Sequence, residues 1–246
     1  MRSSAPARCV SRFRVTCATG SEKRPIRGAK RGDSAYRDNF AERIKELRAS
    51  GAPTPGAALV NPPAVLSDVV VVFVSPKTAS NVGAMARSCA AFECETLRLV
   101  APVCDVFSRA SMNAAKGAQY LIKNALIVDD LADALVGTRA AVAFHPWMED
   151  ELRVDADADA DAQPTFYDDL DALVERFPGG DAASGEKLAL VFGNEADGLS
   201  VEQLKMCDAV CSIPMGRLVE SLSVTHAGVI TLSRYFERRG ARIDRR

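Results

Sequence analysis

From residue 65 onward, apolar and polar positions follow strand-like and helix-like periods in turn. The run Val69–Val74 is entirely apolar, which is typical of a short strand buried on both faces of a sheet. The segment Val82–Phe92 places small and apolar residues at helical spacing. The same alternation then predicts strands at Thr96–Val100, Ala125–Val128, Arg139–Phe144, Lys187–Phe192 and Ala209–Ile213, and helices at Ser108–Gly117, Asp130–Val136, Phe166–Phe177, Ser200–Cys207 and Leu222–Arg238.

This order of elements predicts an α/β fold in which a parallel sheet is covered by helices on both faces. Ligands of such sheets bind outside the carboxyl ends of the strands. Three segments that contain glycine, proline and polar residues follow directly after predicted strands, beginning at Ser75, Gly193 and Pro214. They are the candidates for a ligand site.

The α/β domain is predicted to span residues 65–240, after a basic amino-terminal stretch and a linker. Residues 1–35 are rich in Arg, Ser and Ala, a composition typical of an organellar transit peptide. The Ser and Ala content favours the chloroplast over the mitochondrion. The alternative is a basic tail that contacts RNA in a cytoplasmic protein. Residues 36–64 combine a short amphipathic helix over Tyr36–Ser50 with a linker rich in Pro, Ala and Gly.

Charge is unevenly distributed along the chain, although the formal net charge is only -1. Six arginines lie between Arg234 and Arg246, and the end of this region, residues 241–246, is predicted to be a basic tail. Its arginines are expected to contact phosphate in a salt-sensitive manner. Residues 150–164 contain an alternating Asp-Ala run from Asp155 to Asp161, which we interpret as a solvated insertion without chemistry.

Composition argues against several classes of protein. Hydrophobic residues make up 48% and charged residues 26% of the chain, values that allow an ordinary globular core. The seven cysteines have no Cys-x-x-Cys spacing and accompany only two histidines, so no metal site and no disulfide framework are expected. No apolar run approaches the ~18–20 residues of a membrane helix, and no membrane partner is predicted.

The first candidate segment contains one charged side chain on a helix of small residues. Arg87 is the only charged residue between Thr78 and Phe92. A charge in such surroundings is costly unless it meets an anion. Arg87 is therefore a candidate clamp for phosphate or substrate, with Asn81 at the start of the helix. A snorkelling arginine or one half of a structural ion pair is the alternative.

The second segment is a glycine-containing loop that leaves the predicted strand Lys187–Phe192. Gly193 and Gly198 permit a tight backbone that could approach a nucleoside. Ser200 and Gln203 have capping-box spacing and predict that a helix opens there. The Gly-x-Gly-x-x-Gly pattern of dinucleotide sites is absent, which argues against a Rossmann oxidoreductase.

The third segment joins a predicted strand to the last predicted helix. Pro214 and Gly216 favour an irregular backbone whose amides and carbonyls could face a ligand. Ser221 and Ser223 offer hydroxyl groups where the helix begins. A helix N-cap is the alternative role for either serine.

Together the segments resemble the three ordered motifs of the SpoU/TrmH family of SPOUT RNA methyltransferases. The likeness covers Val69 to Arg238, and residues 115–118 and 127–135 are similar to the TrmJ branch, whose substrates are tRNA anticodon loops. The matching stretches are Asn81-x-Gly83-x-x-x-Arg87 for motif one, Phe192-Gly-Asn-Glu195-x-x-Gly198-Leu199 for motif two, and Ile213-Pro-Met215 with Glu220-Ser-Leu222 for motif three.

The resemblance implies a trefoil knot near the carboxyl end of the domain, a homodimer, and S-adenosyl-L-methionine (AdoMet) as the cofactor. The implied reaction is methyl transfer to a ribose 2′-hydroxyl of RNA, with tRNA favoured over rRNA. The implied catalytic residues are Asn81, Arg87, Glu195, Ser221 and Ser223. The implied cofactor-binding residues are Gly193, Asn194, Glu195, Gly198, Ile213, Met215, Ser221 and Leu222.

Motif three departs from the family pattern at one position. The family usually has Asn after the Ser-Leu pair, whereas this chain has Ser223, whose hydroxyl is shorter than an amide. His226 is a candidate substitute for the missing polar group, and the alternative is a histidine that is simply packed in the helix. Two alternatives remain open: an rRNA ribose methyltransferase of the same fold, and a catalytically silent RNA-binding relative.

Overall fold

The seven strands end along one edge of a sheet, where the candidate segments emerge. The computed structural model describes residues 64–146, 163–181, 184–219 and 221–243. The expected transit peptide, the helix over Tyr36–Ser50 and the Asp-Ala run lie outside these residues. The strands are β1 (Val69–Val74), β2 (Thr96–Val100), β3 (Leu126–Val128), β4 (Thr138–Phe144), β5 (Thr165–Tyr167), β6 (Lys187–Phe192) and β7 (Ala209–Cys211).

Helices follow most strands in the order that the sequence predicts, but two helices lie between β2 and β3 and none is described between β4 and β5. The last helix begins at Val224 and continues to Ile243, five residues beyond its predicted end at Arg238. The helices are α1 (Ala79–Ala91), α2 (Arg109–Ala114), α3 (Gln119–Lys123), α4 (Leu131–Ala134), α5 (Leu170–Arg176), α6 (Val201–Lys205) and α7 (Val224–Ile243).

The sheet has the order β3-β2-β1-β6-β4-β7-β5, and every neighbouring pair is parallel. The predicted parallel α/β architecture is therefore confirmed. Strand β4 lies between β6 and β7, so the chain crosses over β4 when it passes from β6 through α6 to β7. The three strands that carry the main site loops are consequently adjacent.

Strand β1 is buried on both faces, as its unbroken apolar run predicts. Val69, Val71 and Phe73 belong to one core with residues of α1, α3, α5 and α7. Val70 and Val72 belong to a second core with residues of α4 and α6. Helices therefore cover both faces of the sheet, and every residue of β1 is at most 1% exposed.

Two predicted helices are wrong in part. The first residues of the predicted helix Phe166–Phe177 form β5 instead, because they pair with β7, a partner that the local pattern does not show. Helix α5 starts only after Asp169, whose side chain accepts the Asp171 N–H and caps it. The predicted helix Ser108–Gly117 stops at Ala114, and the chain turns through Gly117 at a φ of 89° before α3 begins.

Three arginines of the predicted basic carboxyl-terminal region bind acidic side chains. Arg234 and Arg238 both pair with Asp171. Arg239 forms a two-pronged ion pair with Asp68 and also donates to the backbone carbonyls of Val65 and Pro178. The Arg239 side chain is only 21% exposed. Its role in the fold is to join the end of α7 to the start of β1, which differs from the predicted phosphate contact.

Within the described ranges, no helix is long and apolar enough to cross a membrane. The same residues contain no group of three or more His, Cys, Asp or Glu side chains that could hold a metal ion.

Candidate cofactor-binding and active site

A cavity of about 240 Å³ lies at the carboxyl ends of β4, β6 and β7. Its wall combines the loop after β6, the loop after β7 and the first turn of α7. The structure thus brings together ten residues that the motifs identify, from three segments that are far apart in sequence. These residues are Asn81, Gly193, Asn194, Glu195, Gly198, Ile213, Met215, Ser221, Leu222 and Ser223.

The loop after β6 is folded tightly on itself. A Cβ atom at Gly193 would lie 2.1 Å from the backbone carbon of Gly198, so only glycine fits there. Asn194 and Gly198 exchange two backbone hydrogen bonds of 3.2 Å, and Gly198 has a φ of 71°. The Asn194 side-chain oxygen also accepts the N–H groups of Ala196 and Asp197. Asn194 therefore shapes the loop from within, in addition to lining the cavity.

Glu195 connects motif two to motif one. Its carboxylate accepts the N–H groups of Lys77 and Thr78 at 2.9 and 3.1 Å and the side-chain amide of Asn81 at 2.8 Å. Burial by itself raises the pKa of Glu195, but the bonds from Lys77, Asn81 and Thr78 together bring the pKa below its ordinary value. Glu195 is thus held as a carboxylate that fixes the start of α1 against the loop.

The residues after β7 have no regular secondary structure until α7 begins. Ile213 and Met215 are half-buried in the cavity wall. The predicted start of the helix at Leu222 is two residues too early, since Ser223 is the N-cap. Its Oγ accepts the backbone N–H of His226 at 3.4 Å. The capping role and the cavity-lining role of Ser223 therefore apply together.

The floor of the cavity contains residues that sequence reasoning missed. Phe144 and Phe192 stack with their ring centroids 4.8 Å apart, and Cys211 lies beside them. His145, which is 3% exposed, follows β4 and lines the cavity close to Gly198. Only their positions at the ends of strands could have indicated these residues, because Phe144 and Cys211 end their strands and His145 directly follows β4. However, no polar or glycine-rich pattern distinguishes them.

Arg87 does not line this cavity. It lies on the exposed side of α1, and within the described ranges no hydrogen bond or ion pair involves its side chain. The small residues of this helix serve close packing instead: a Cβ at Gly83 would lie 2.1 Å from the Ser111 carbonyl oxygen of α2. Within a single chain, Arg87 therefore faces solvent rather than the other motif residues.

The fold and the cavity define a parallel α/β domain with its ligand site at the carboxyl ends of its central strands. The model of the SpoU rRNA methylase family matches residues 68–233, and the chain belongs to this family.

The chain is 30% identical to the tRNA (cytidine/uridine-2'-O-)-methyltransferase TrmJ of Pectobacterium atrosepticum, over 74% of this chain and 68% of that protein. It is 26% identical to the tRNA (cytidine-2'-O-)-methyltransferase TrmJ of Methanocaldococcus jannaschii, over 67% of this chain and 65% of that protein. The chain therefore spans about two thirds of the length of these relatives. The SpoU methyltransferase AviRb of Streptomyces viridochromogenes, solved in complex with AdoMet, shares the fold with a TM-score of 0.51 and 22% identity, over 77% of this chain and 67% of that chain.

Proposed function

We propose that this protein transfers a methyl group from AdoMet to a ribose 2′-hydroxyl of tRNA. One observation carries the proposal: ten of the eleven residues that the motifs identify as site residues line a single cavity. The family to which the chain belongs supports RNA methylation as the reaction.

The cavity has the chemistry that AdoMet requires. Ile213, Met215 and Leu222 offer apolar surface for the flat adenine ring. Asn194 and Ser221 provide polar groups for the ribose hydroxyls and the methionine end. The glycine backbone around Gly198 leaves room for a ligand where any side chain would crowd His145, since a Cβ there would lie 3.2 Å from its ring.

AdoMet supplies an activated methyl group, so the protein must mainly orient the acceptor hydroxyl and manage its proton. Asn81 and Glu195 fix the cavity edge between the start of α1 and the loop after β6. Ser223 places a second hydroxyl in the cavity wall, at the residue that precedes α7. A guanidinium group is a permanent cation that presents a fork of N–H donors, so Arg87 is suited to hold a phosphate or a developing negative charge rather than to accept a proton.

The geometry of Arg87 supports a homodimer as part of this proposal. Arg87 is exposed on α1 and is not among the residues that line the cavity of its own chain. Val229 and Ile230 are also exposed, on α7, which packs against α1. A second copy that covers this surface would bring Arg87 toward another protein surface, where it could meet RNA phosphate.

A trefoil knot is part of the same proposal. The chain passes over β4 on its way from β6 to β7, and this crossover is compatible with a knot.

The substrate class rests on relatives that methylate tRNA. The family name refers to rRNA, so an rRNA ribose methyltransferase is the second candidate. A catalytically silent RNA-binding relative is the third, motivated by Ser223.

The cell compartment proposed for the protein is an organelle, preferentially the chloroplast, because of the composition of residues 1–35. Expression of these residues fused to a fluorescent protein would test it, and a diffuse cytoplasmic signal would refute it.

The test of the proposed function is methyl transfer from labelled AdoMet to unmodified tRNA and rRNA, followed by digestion to nucleosides. We expect label in 2′-O-methyl nucleosides of tRNA, and a loss of about 10²-fold or more in kcat/KM for Arg87→Ala. Arg139→Ala is the matched control, because Arg139 is equally exposed but lies at the opposite, amino end of β4. Label in rRNA alone would select the second candidate. AdoMet binding without any transfer would select the silent relative.

A further inference from the structure

Ser223 and His226 form a hydroxyl–imidazole pair at the edge of the cavity, and the imidazole has no role in the mechanism above. The Ser223 Oγ lies 2.6 Å from the Nδ1 atom of His226. The same Oγ is 3.1 Å from the Thr225 hydroxyl oxygen. Ser223 lines the cavity, whereas His226 lies behind it on the exposed side of the first turn of α7.

The neighbours of the Ser223 hydroxyl limit where its proton can lie. A serine hydroxyl has one proton to donate and two lone pairs that accept. One lone pair accepts the backbone N–H of His226 in the helix cap. Of the two possible acceptors of the Ser223 proton, Nδ1 is the nearer. When the imidazole carries its own proton on Nε2, Nδ1 accepts the Ser223 proton, and the second lone pair of Ser223 is left for the Thr225 hydroxyl, which an incoming hydroxyl can replace.

We propose that the Ser223–His226 pair accepts the proton of the ribose 2′-hydroxyl during methyl transfer; this rests on the proposed function and deepens it. The bond between the 2′-oxygen and the methyl carbon forms as the bond between that carbon and the sulfonium sulfur breaks. The 2′-hydroxyl proton passes to Ser223 Oγ, whose own proton passes to Nδ1 of His226. The products are the 2′-O-methyl ribose, neutral S-adenosylhomocysteine and an imidazolium, which returns its proton to water.

Other polar groups of the site are poorer proton acceptors. The three hydrogen bonds to Glu195 occupy its carboxylate and stabilise its charged form. The Asn81 amide has no basic site at neutral pH, and a guanidinium such as that of Arg87 offers donors but no acceptor. Histidine is the side chain whose proton exchange fits neutral pH. The second histidine, His145, also lines the cavity but is buried at its floor. It is the other candidate proton acceptor, and an experiment must distinguish its role from that of His226.

The experiment measures kcat, KM and AdoMet affinity of the full chain on its tRNA substrate, with thermal unfolding as a check of folding. We expect His226→Ala and His226→Gln to lower kcat about 10²-fold without changing AdoMet affinity. Added imidazole should restore activity to His226→Ala, because the ring site is exposed, but not to Ser223→Ala, which lacks the relay hydroxyl. The control Thr225→Val removes the neighbouring hydroxyl and should keep its kcat.

The outcomes separate this proposal from the proposed function. Wild-type kcat in both His226 variants would overturn the proposal, as would activity that falls only in proportion to AdoMet binding. A loss that imidazole rescues in His145→Ala but not in His226→Ala would assign the proton to the other histidine and also overturn it. A wild-type chain that methylates no RNA would refute the proposed function itself, and this proposal with it.

Discussion

Replacement of Glu195 tests whether the loop after β6 depends on its carboxylate. One carboxylate oxygen accepts two hydrogen bonds, from the Thr78 N–H and the Asn81 amide, and the other accepts the Lys77 N–H. Glutamine keeps one acceptor oxygen but turns an NH₂ group toward a remaining donor. One bond is therefore lost and two donors meet, at a cost of about 1–2 kcal/mol. Alanine removes all three bonds, at about 2–3 kcal/mol for this partly exposed group.

The assay is urea unfolding of wild type, Glu195→Gln and Glu195→Ala at pH 7.5 and at a series of lower pH values. The control is Glu95→Gln, a change at an exposed surface carboxylate. Because the folded-state pKa of Glu195 lies below its ordinary value, the stabilisation by its charge is complete above the unfolded-state pKa of about 4.3. It is lost as the pH falls through the lower, folded-state pKa.

The difference in stability between wild type and Glu195→Gln should therefore be constant near neutral pH and shrink in acid. AdoMet affinity should fall in the same variants, since the loop that they loosen forms the cavity wall. Equal stability of wild type and Glu195→Gln at pH 7.5 would refute the reasoning. A difference that grew in acid would refute it equally, because it would give the pKa shift the opposite sign.

Three further changes test the fold. Arg239→Ala should destabilise the protein by about 2–4 kcal/mol in urea unfolding, since it leaves the partly buried Asp68 unpaired; unchanged stability would contradict the structural role of Arg239. Gly83→Ala should cost about 1–3 kcal/mol, because the new methyl group meets the Ser111 carbonyl, and a neutral effect on the unfolding midpoint would show that the helices separate easily. Burial, with a smaller contribution from the nearby Asp208, raises the pKa of Cys207 to about 12. Alkylation at pH 8, detected by mass spectrometry, should therefore leave Cys207 unmodified until urea unfolds the chain. Rapid labelling of Cys207 in the native protein would be evidence against its burial.

The elements that local patterns specify were predictable from the sequence. The short apolar run of β6 is typical of a strand that is buried on both faces of a parallel sheet, and it lies where predicted. The capping box of Ser200 and Gln203 is complete, with both reciprocal bonds present. Here the residues that determine the structure are neighbours in sequence, so their spacing carries the information.

Contacts between distant residues were not predictable in this way. Strand β5 exists because Phe166 pairs opposite Val210 on β7, and nothing within its own three residues requires a strand. The phosphate contact of the basic carboxyl-terminal region was predicted from charge alone, whereas Arg238 forms an ion pair with Asp171 on another helix. His145 gave no signal because a single histidine after a strand has no spacing to interpret, and its position in the cavity depends on Gly198 in a loop far along the chain.

The contacts between α7 and the start of β1 can form only late in the synthesis of the chain. The Arg239 contacts reach back to Asp68 and Val65, and the cavity wall includes residues 221–224 and Ala227. A ribosome makes β1 long before it makes α7, and folding generally proceeds from the amino terminus as the chain emerges. A nascent chain whose α7 is still inside the ribosome has neither the closing ion pair nor a complete cavity. AdoMet can therefore stabilise only finished molecules, and a product truncated before α7 gains no protection from the cofactor.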